Sequence, residues 1–141
     1  MNDLLHGKTV LVVDDDPDIR GAIEVSLRSL GANVLSAGDG GLAVSIIREH
    51  APDLVVLDMM LPKASGFLVL ETLADEGRRP PTVMVTANRG RRHQAYAEAL
   101  GVEGYFLKPV PLQALLDRIA AILKPPAGGT AEGGAGAGRY T

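Results

Sequence analysis

The sequence predicts an α/β fold in which a five-stranded parallel sheet carries helices on both faces. Two observations lead to this prediction: short apolar runs alternate with amphipathic helical patterns, and the apolar runs are continuous along their length. Strand and helix patterns in regular alternation are typical of parallel sheets built from βαβ units. Right-handed crossovers leave few topologies for such a chain, and the compact one is a doubly wound sheet with strand order 2-1-3-4-5.

Five short runs rich in Val and Leu predict the strands. Each run is apolar at nearly every position, as expected for a strand that is buried on both faces. The predicted strands are Thr9–Val13, Asn33–Ala37, Leu54–Leu57, Thr82–Val85 and Tyr105–Leu107.

Each predicted strand is followed by a helical pattern. In the first, apolar residues recur at spacings of four, four and three from Ile19 to Leu30, and Gly31 supplies a C-cap residue. Pro17 and Pro111 stand where helices begin, the position that tolerates proline best. The predicted helices are Asp18–Leu30, Gly41–Glu49, Gly66–Glu76, Arg91–Leu100 and Leu112–Leu123.

Length and composition exclude several classes of protein. A chain of 141 residues suits one domain, and its net charge of -3 gives no general attraction to nucleic acid or to an anionic membrane. The absence of Cys excludes disulfides, thiolate zinc sites and cysteine nucleophiles, and it fits a reducing compartment. Neither a signal peptide nor an apolar run of about 20 residues is found, so we expect a soluble, cytoplasmic protein.

The composition changes near the end of the chain. Residues 125–141 hold six Gly and four Ala among seventeen positions, and they have almost nothing to bury. Such a segment cannot offset the entropy of ordering. We therefore expect a folded domain over residues 1–124 and a flexible tail, or the start of a linker, over 125–141.

Polar residues follow four of the predicted strands. In chain order they are Asp14, Asp15 and Asp16 after the first strand, Asp58 after the third, Thr86 after the fourth and Lys108 after the fifth. Polar chemistry in doubly wound sheets collects at the carboxyl ends of the strands, at the switch point between strands 1 and 3. Asp14, Asp15 and Asp58 should therefore converge on one pocket.

Three converging carboxylates repel one another unless a cation joins them. Mg²⁺ fits best, because it takes one or two carboxylates together with waters and phosphate oxygens. A carboxylate beside Mg²⁺ can act as a nucleophile and form an aspartyl phosphate. Lys108 would then neutralise charge on the phosphoryl oxygens, and Thr86 would donate a hydrogen bond to them.

Four segments resemble the receiver domain of bacterial two-component response regulators. They are Val12–Pro17, Asp53–Pro62 with Gly66, Val85–Ala87 and Tyr105–Pro109. Each segment alone is common, but four in this order, each at a strand end, are specific. The resemblance covers about residues 8–124 and implies a flavodoxin-like receiver fold.

The resemblance also implies a function in phosphorelay signalling. A sensor histidine kinase or phosphotransfer protein would transfer a phosphoryl group to the domain, which would not be a turnover enzyme. The surface formed by helix 4, strand 5 and helix 5 would then switch and control a downstream protein partner or an output domain. Whether phosphorylation makes the domain dimerise is left open.

Roles for matching positions follow from the same resemblance. Asp58 would be the phosphoacceptor, and Asp15 and Asp58 would ligate Mg²⁺ directly. Asp14 would act on the metal mainly through water, and the backbone carbonyl of Met60 would complete the protein ligands.

The remaining roles implied by the resemblance concern the switch. Thr86 would move toward the phosphoryl group, and Lys108 would pair with it. Tyr105 matches an aromatic position whose rotamer is coupled to that threonine. The Lys108–Pro109 peptide bond matches one that is usually cis in receivers.

Two other functions remain open alternatives. Asp14-x-Asp16 also offers the paired aspartates of a phosphatase of the haloacid dehalogenase type, although Thr86-Ala87-Asn88 stands where that family has a second acidic pair. A degenerate receiver that binds partners without phosphorylation is the other alternative. Asp16 itself is expected to cap the first helix.

The arginines of the chain form two groups around the fourth strand. Arg78 and Arg79 precede it, whereas Arg89, Arg91 and Arg92 follow it, so the two groups lie at opposite ends of the sheet. A solvated surface is the simpler interpretation of both. The second group is a candidate site for partner docking near the pocket. The three His residues show no ligand spacing and are assigned no role.

Overall fold

The structure is a computed structural model, and it describes residues 3–123. It contains five strands and five helices in strict alternation. The strands are β1 (Thr9–Val13), β2 (Asn33–Ala37), β3 (Leu54–Asp58), β4 (Thr82–Thr86) and β5 (Gly104–Leu107). The helices are α1 (Pro17–Ser29), α2 (Gly40–His50), α3 (Gly66–Asp75), α4 (Arg91–Ala99) and α5 (Leu112–Leu123). The tail expected over 125–141 and the domain end expected at 124 lie outside the described residues.

The five strands form one parallel sheet in the order β2-β1-β3-β4-β5, which confirms the predicted fold. Three strands are one residue longer than predicted: β3 includes Asp58, β4 includes Thr86 and β5 begins at Gly104. The sheet register explains these extensions, because Asp58 pairs with Val85 and Thr86 pairs with Leu107 across the ladder. Asp58 and Thr86 are therefore held as the last residues of two central strands.

The two faces of the sheet bury separate apolar clusters. In β1, Val10 and Val12 contribute to the cluster beneath α1 and α5, whereas Leu11 and Val13 contribute to the cluster beneath α2, α3 and α4. This alternation follows from the two-residue period of a strand. Within residues 3–123, none of the helices has the length and the apolar character that crossing a membrane would need.

The helices begin with different caps at the carboxyl edge of the sheet. The Asp16 side chain accepts hydrogen bonds from the amides of Asp18 and Ile19 at the start of α1. Ser65 caps α3 in the same way. α4 follows Gly90 and has neither a side-chain cap nor an acidic residue in its first turn.

Candidate functional site

The carboxyl ends of β1 and β3 bring three acidic residues together. The register pairs Val13 with Leu57, so the residues that follow them stand side by side. Carboxylate oxygens of Asp14, Asp15 and Asp58 lie within 4.8 Å of one another. Asp14 and Asp58 are 2% and 3% exposed, whereas Asp15 is open to solvent. The acidic group thus consists of two buried carboxylates and one carboxylate that solvent can reach.

The Lys108 ammonium joins the two buried carboxylates. Its Nζ atom lies 2.9 Å from Asp14 Oδ2 and 3.2 Å from Asp58 Oδ2. The lysine side chain is itself largely buried, with 16% exposure. A cation between two buried anions offsets much of their repulsion, so Lys108 stabilises the arrangement as it stands.

The surroundings of Asp58 have opposing effects on the pKa of its carboxyl. Burial raises the pKa of the Asp58 carboxyl, the nearby Asp14 charge raises it further, and Lys108 lowers it without cancelling the rise. For Lys108, burial lowers the pKa, but the two carboxylates outweigh burial, so the pKa of its ammonium lies above the ordinary value. The site therefore disfavours the full negative charge of Asp58 and favours cations.

Thr86 and Lys108 occupy adjacent strand ends. Thr86 is fully buried, and its Oγ1 accepts a hydrogen bond from the Asn88 amide at 3.0 Å. The Lys108 amide donates to the Thr86 carbonyl at 2.8 Å. The Lys108–Pro109 peptide bond is cis. The hydrogen bond between the two backbones fixes the position of the residue that carries the hydroxyl, Thr86, relative to the residue that carries the ammonium, Lys108.

The loop between β3 and α3 closes back onto the end of β3. The Met60 amide donates to Asp58 Oδ1 at 3.2 Å, and the Gly66 amide donates to the Met59 carbonyl at 2.9 Å. A Cβ atom at Gly66 would lie 2.5 Å from the Asp58 carbonyl oxygen, so this close approach requires glycine. Among residues 3–123, no donor reaches the Met60 carbonyl oxygen, and the Met60 side chain is 60% exposed.

Tyr105 points into the molecule from β5. Its ring belongs to the buried cluster that includes Met84, Ala97 and Val102. Within the described part of the chain its hydroxyl has no hydrogen-bond partner. Burial raises the pKa of this hydroxyl, and the negative charge of Glu98 on α4 raises it further.

An aromatic contact between α3 and α4 was not anticipated from the sequence. Phe67 on α3 stacks on His93 at 6.0 Å between ring centroids and meets Tyr96 edge-on at 4.9 Å. The Tyr96 hydroxyl donates a hydrogen bond to Glu71 on α3. His93, which had been assigned no role, thus packs at the helix start that follows the site. No sequence pattern identifies this contact, because its members come from two helices whose relative placement depends on the fold.

Arg20 is a second residue that sequence reasoning missed. Its guanidinium donates to the Asp14 carbonyl at 2.7 Å and lies 3.6 Å from Glu24. It therefore fixes the backbone of the β1–α1 turn from the first turns of α1.

Asp16 does not join the acidic group. Its side chain caps α1, as the sequence predicted, and the close-packed set is Asp14, Asp15 and Asp58. The Asp14-x-Asp16 pair considered for a phosphatase is therefore not assembled as a pair of site carboxylates.

The donor set suits a hard divalent cation. It consists of carboxylate oxygens and the Met60 carbonyl oxygen, which has no hydrogen-bond partner within residues 3–123, and Asp15 makes it accessible from solvent. Such ligands are those that Mg²⁺ prefers, whereas zinc and copper favour nitrogen and sulfur. The residues present fit Mg²⁺ on chemical grounds.

Comparison with known proteins decides the family. The family model for the response regulator receiver domain matches residues 10–120. The chain belongs to this family. The matched range includes the acidic group, Thr86 and Lys108.

Relatives of this receiver domain are response regulators. The chain is 36% identical over 127 residues to "Probable transcriptional regulatory protein TcrX" of Mycobacterium tuberculosis, covering 90% of this chain and 54% of that protein. It is 38% identical over 116 residues to "DNA-binding response regulator MtrA" of Mycolicibacterium smegmatis, covering 82% of this chain and 50% of that protein. The chain thus spans about half the length of these curated relatives.

Solved structures agree with the receiver fold. The Francisella response regulator 1452 receiver domain superposes with a TM-score of 0.80 at 26% identity, covering 84% of this chain and 98% of that one. This receiver domain therefore shares the architecture of solved receivers over nearly the whole of their length.

Proposed function

We propose that Asp58 is the residue on which this receiver domain is phosphorylated. The observation that carries the proposal is the Lys108 ammonium, which contacts both Asp14 and Asp58 at the strand end next to Thr86. Asp58 is the only member of the acidic group on the central strand β3, where it lies between the Asp14 and Thr86 strands. Charge that develops on a transferred phosphoryl group would meet Lys108 on one side and the Thr86 hydroxyl on the other.

The proposed reaction is a direct phosphoryl transfer. An Asp58 carboxylate oxygen attacks the phosphorus of a phosphohistidine on a sensor histidine kinase or phosphotransfer protein. The new bond joins the Asp58 oxygen to phosphorus while the phosphorus–nitrogen bond breaks. The leaving imidazole nitrogen keeps the electron pair of that bond and takes up a proton from solvent. Asp58 must be ionised to attack, and Lys108 supports that form against the effect of burial.

We assign the metal ligands to the acidic group and its loop. Asp15 and Asp58 would bind Mg²⁺ directly, Asp14 would act through water, and the Met60 carbonyl would complete the protein ligands. The close carboxylates and the unpartnered carbonyl support this assignment. When bound, Mg²⁺ supplies positive charge that offsets the repulsion between the carboxylates and the incoming phosphoryl group.

The proposed output lies on the α4–β5–α5 surface. Thr86 would shift toward the phosphoryl group, and the buried Tyr105 beneath α4 would change position with it. A cavity of about 230 Å³ supports this location, because it is lined by Gln94, Tyr105, Phe106, Leu107 and Pro111 from α4, β5 and the start of α5. A downstream protein, an output domain or a second copy of the phosphorylated domain would dock here.

The relatives suggest what the output controls. Two of them are named as transcriptional or DNA-binding regulators, and this chain corresponds to about half of their length. We propose that the domain regulates such an output in a cytoplasmic signalling pathway, and that it is modified once per signal without catalysing turnover.

Intact-protein mass spectrometry tests the phosphoacceptor. The protein is incubated with acetyl phosphate, with and without Mg²⁺, alongside Asp58→Asn and Asp16→Asn. We expect one added phosphoryl group that needs Mg²⁺, that is lost in Asp58→Asn and that persists in Asp16→Asn. The control removes a carboxylate from the same edge but leaves a good helix cap.

Two results would count against the proposal. Mg²⁺-dependent labelling that survives in Asp58→Asn would place the acceptor elsewhere. If no adduct forms, beryllofluoride binding is measured next. Tight binding would indicate that the phosphoryl group forms and is hydrolysed rapidly. No binding would count against the proposal, because it would indicate a partner-binding module that keeps only the receiver shape and is not phosphorylated.

A further inference from the structure

Three arginines beside the site have no partner within the described residues. Arg89, Arg91 and Arg92 are exposed, and residues 3–123 provide none of them with an ion pair or a side-chain hydrogen bond. Elsewhere, Arg48 pairs with Glu76 and Arg79 pairs with Glu103. We call the three unpaired residues the arginine rim.

The arginine rim does not stabilise the helix on which it stands. Arg91 and Arg92 open α4, where the helix dipole is positive and cations are disfavoured. The first turn of α4 contains no acidic residue, and no side chain among residues 3–123 caps it. In α1, by contrast, Asp16 and Asp18 complement the helix start. A structural role therefore does not account for the positive charge of the rim.

The arginine rim lies at the same edge of the sheet as the acidic site. Arg89 comes three residues after Thr86, and Asp58 pairs with Val85 across the neighbouring strands. Hydrogen bonds from the Asn88 amide to Thr86 Oγ1 and from the Gly90 amide to Asn88 Oδ1 hold the intervening turn against the strand end. Three residues span at most about 11 Å, so the Arg89 backbone lies within that distance of Thr86. The screening length is about 8 Å at physiological salt and about 30 Å at 0.01 M, so the field of the rim should act on the site most strongly at low salt.

An anionic substrate meets an unfavourable field at this site. Asp14, Asp15 and Asp58 place carboxylate oxygens within 4.8 Å of one another, and among the described residues Lys108 is the one cation that forms an ion pair with these carboxylates. The phosphoryl group of an acyl phosphate carries about two negative charges at neutral pH. Positive charge on the rim of a cleft raises the rate at which anions arrive, even without contact in the final complex.

We propose that Arg89, Arg91 and Arg92 attract anionic phosphodonors to Asp58 and so raise the rate of phosphorylation by doubly charged acyl phosphates relative to donors of lower charge. The proposal rests on Asp58 being the phosphoacceptor. The arginine rim acts on encounter and not on the chemical step, so its effect belongs to the second-order rate constant and depends on ionic strength.

The test compares two triple variants with the same change in charge. Arg89→Gln/Arg91→Gln/Arg92→Gln removes the rim, and Lys8→Gln/Arg28→Gln/Arg78→Gln removes three cations from the opposite, amino edge of the sheet. The second-order rate constant for Asp58 phosphorylation is measured by intact mass with acetyl phosphate at saturating Mg²⁺. Sodium chloride is varied from low to high concentration, and phosphoramidate, which carries less negative charge, serves as the second donor.

We expect the rim variant to react about three- to tenfold more slowly at low salt. Its rate should approach that of the unsubstituted protein at high salt, and its loss should be smaller with phosphoramidate. The control variant should stay within about twofold of the unsubstituted protein at every salt concentration. This combination supports the proposal, because a local structural defect would not disappear with salt.

Other outcomes overturn the proposal in distinguishable ways. Equal losses in both triple variants, or a loss that salt does not reduce, would exclude steering by the arginine rim while leaving Asp58 as the acceptor. A loss as large with phosphoramidate as with acetyl phosphate would show that the rim does not act through the charge of the donor. Labelling of the unsubstituted protein at a residue other than Asp58, or no labelling together with no beryllofluoride binding, would overturn both this proposal and the proposed function.

Discussion

The β1–α1 and β4–α4 junctions leave the same edge of the sheet but are built in opposite ways. The first is acidic, with Asp16 capping α1 and Asp18 in its first turn. The second is basic, with an uncapped helix start at Gly90 and arginines in the first turn. Helix dipoles favour the first arrangement and disfavour the second.

The comparison distinguishes residues that stabilise the fold from residues that are available to bind a ligand. At the first junction the two roles are divided, because Asp16 satisfies helix amides whereas Asp14 and Asp15 face the pocket. At the second junction the arginine side chains form no ion pair or side-chain hydrogen bond with any described residue. Removal of the acidic cap at the first junction should therefore lower the stability of the fold, whereas removal of positive charge at the second junction should not.

Loss of Asp15 should have the largest effect, and it should fall on metal affinity. Asp15→Ala removes the exposed carboxylate of the acidic group, so we expect Mg²⁺ to bind at least about tenfold more weakly, or about 1.4 kcal/mol. Isothermal titration calorimetry measures the change. Asp18→Asn is the matched control, because Asp18 is exposed at the same junction but lies outside the group. Equal weakening in the two variants would contradict the assignment of Asp15.

Loss of the α1 cap should be the next largest effect, and it should fall on stability. Asp16→Ala leaves the amides of Asp18 and Ile19 without their acceptor, which should lower the free energy of unfolding by about 1 kcal/mol. Urea denaturation measures it. Asp16→Asn should stay within a few tenths of a kcal/mol of the unsubstituted protein, because Asn also caps helices. A large loss in the Asn variant would show that the charge of Asp16, and not its hydrogen bonds, matters.

Asp58→Asn should stabilise the metal-free protein by a smaller amount, seen as a rise of a few degrees in melting temperature at neutral pH. The pKa of the folded Asp58 carboxyl lies above its ordinary value of 3.8, chiefly because of burial and then because of Asp14. The folded state therefore binds the proton more tightly than the unfolded chain, and the ionised group lowers stability at pH values above the folded pKa.

The pH dependence of that difference provides its own control. The destabilising contribution should fade as the pH drops through the folded pKa and should vanish below 3.8. The melting temperatures of Asp58→Asn and of the unsubstituted protein should then converge. A gap that persists at acidic pH would mean that the variant acts through packing instead of charge.

Reversal of charge at Arg91 should have the smallest effect and the opposite sign. Arg91→Glu places an acid at the positive end of α4, so we expect a gain in stability of about 0.3–1 kcal/mol, measured by urea denaturation in dilute salt. The mirror control is Arg28→Glu in the last turn of α1, where a cation is favourable, and it should lose a similar amount. If Arg91→Glu destabilised α4, the comparison between the two junctions would be wrong.

The sequence was sufficient for the fold because strands buried on both faces leave continuous apolar runs. β1, β2 and α5 match their predicted bounds, and α4 begins at Arg91 as predicted. The last residue of β3 was missed because its strand assignment depends on pairing with Val85, a partner that its own sequence does not reveal.

The candidate site was predictable in its members but not in its contacts. Parallel strands deliver their carboxyl ends to one edge, so Asp14, Asp58 and Lys108 could be grouped from topology alone. That one ammonium contacts both carboxylates depends on side-chain geometry. The stacking of Phe67 on His93 likewise depends on how two helices pack.

The glycine that closes the β3–α3 loop makes a mechanical link. The loop is fastened at both ends, by the Met60 amide on the Asp58 carboxylate and by Gly66 against the Asp58 backbone. Displacement of Asp58 must therefore carry the first turn of α3 with it. Phe67 follows Gly66 directly and contacts the rings of His93 and Tyr96 on α4, so a displacement of Asp58 should be transmitted to α4 through the start of α3.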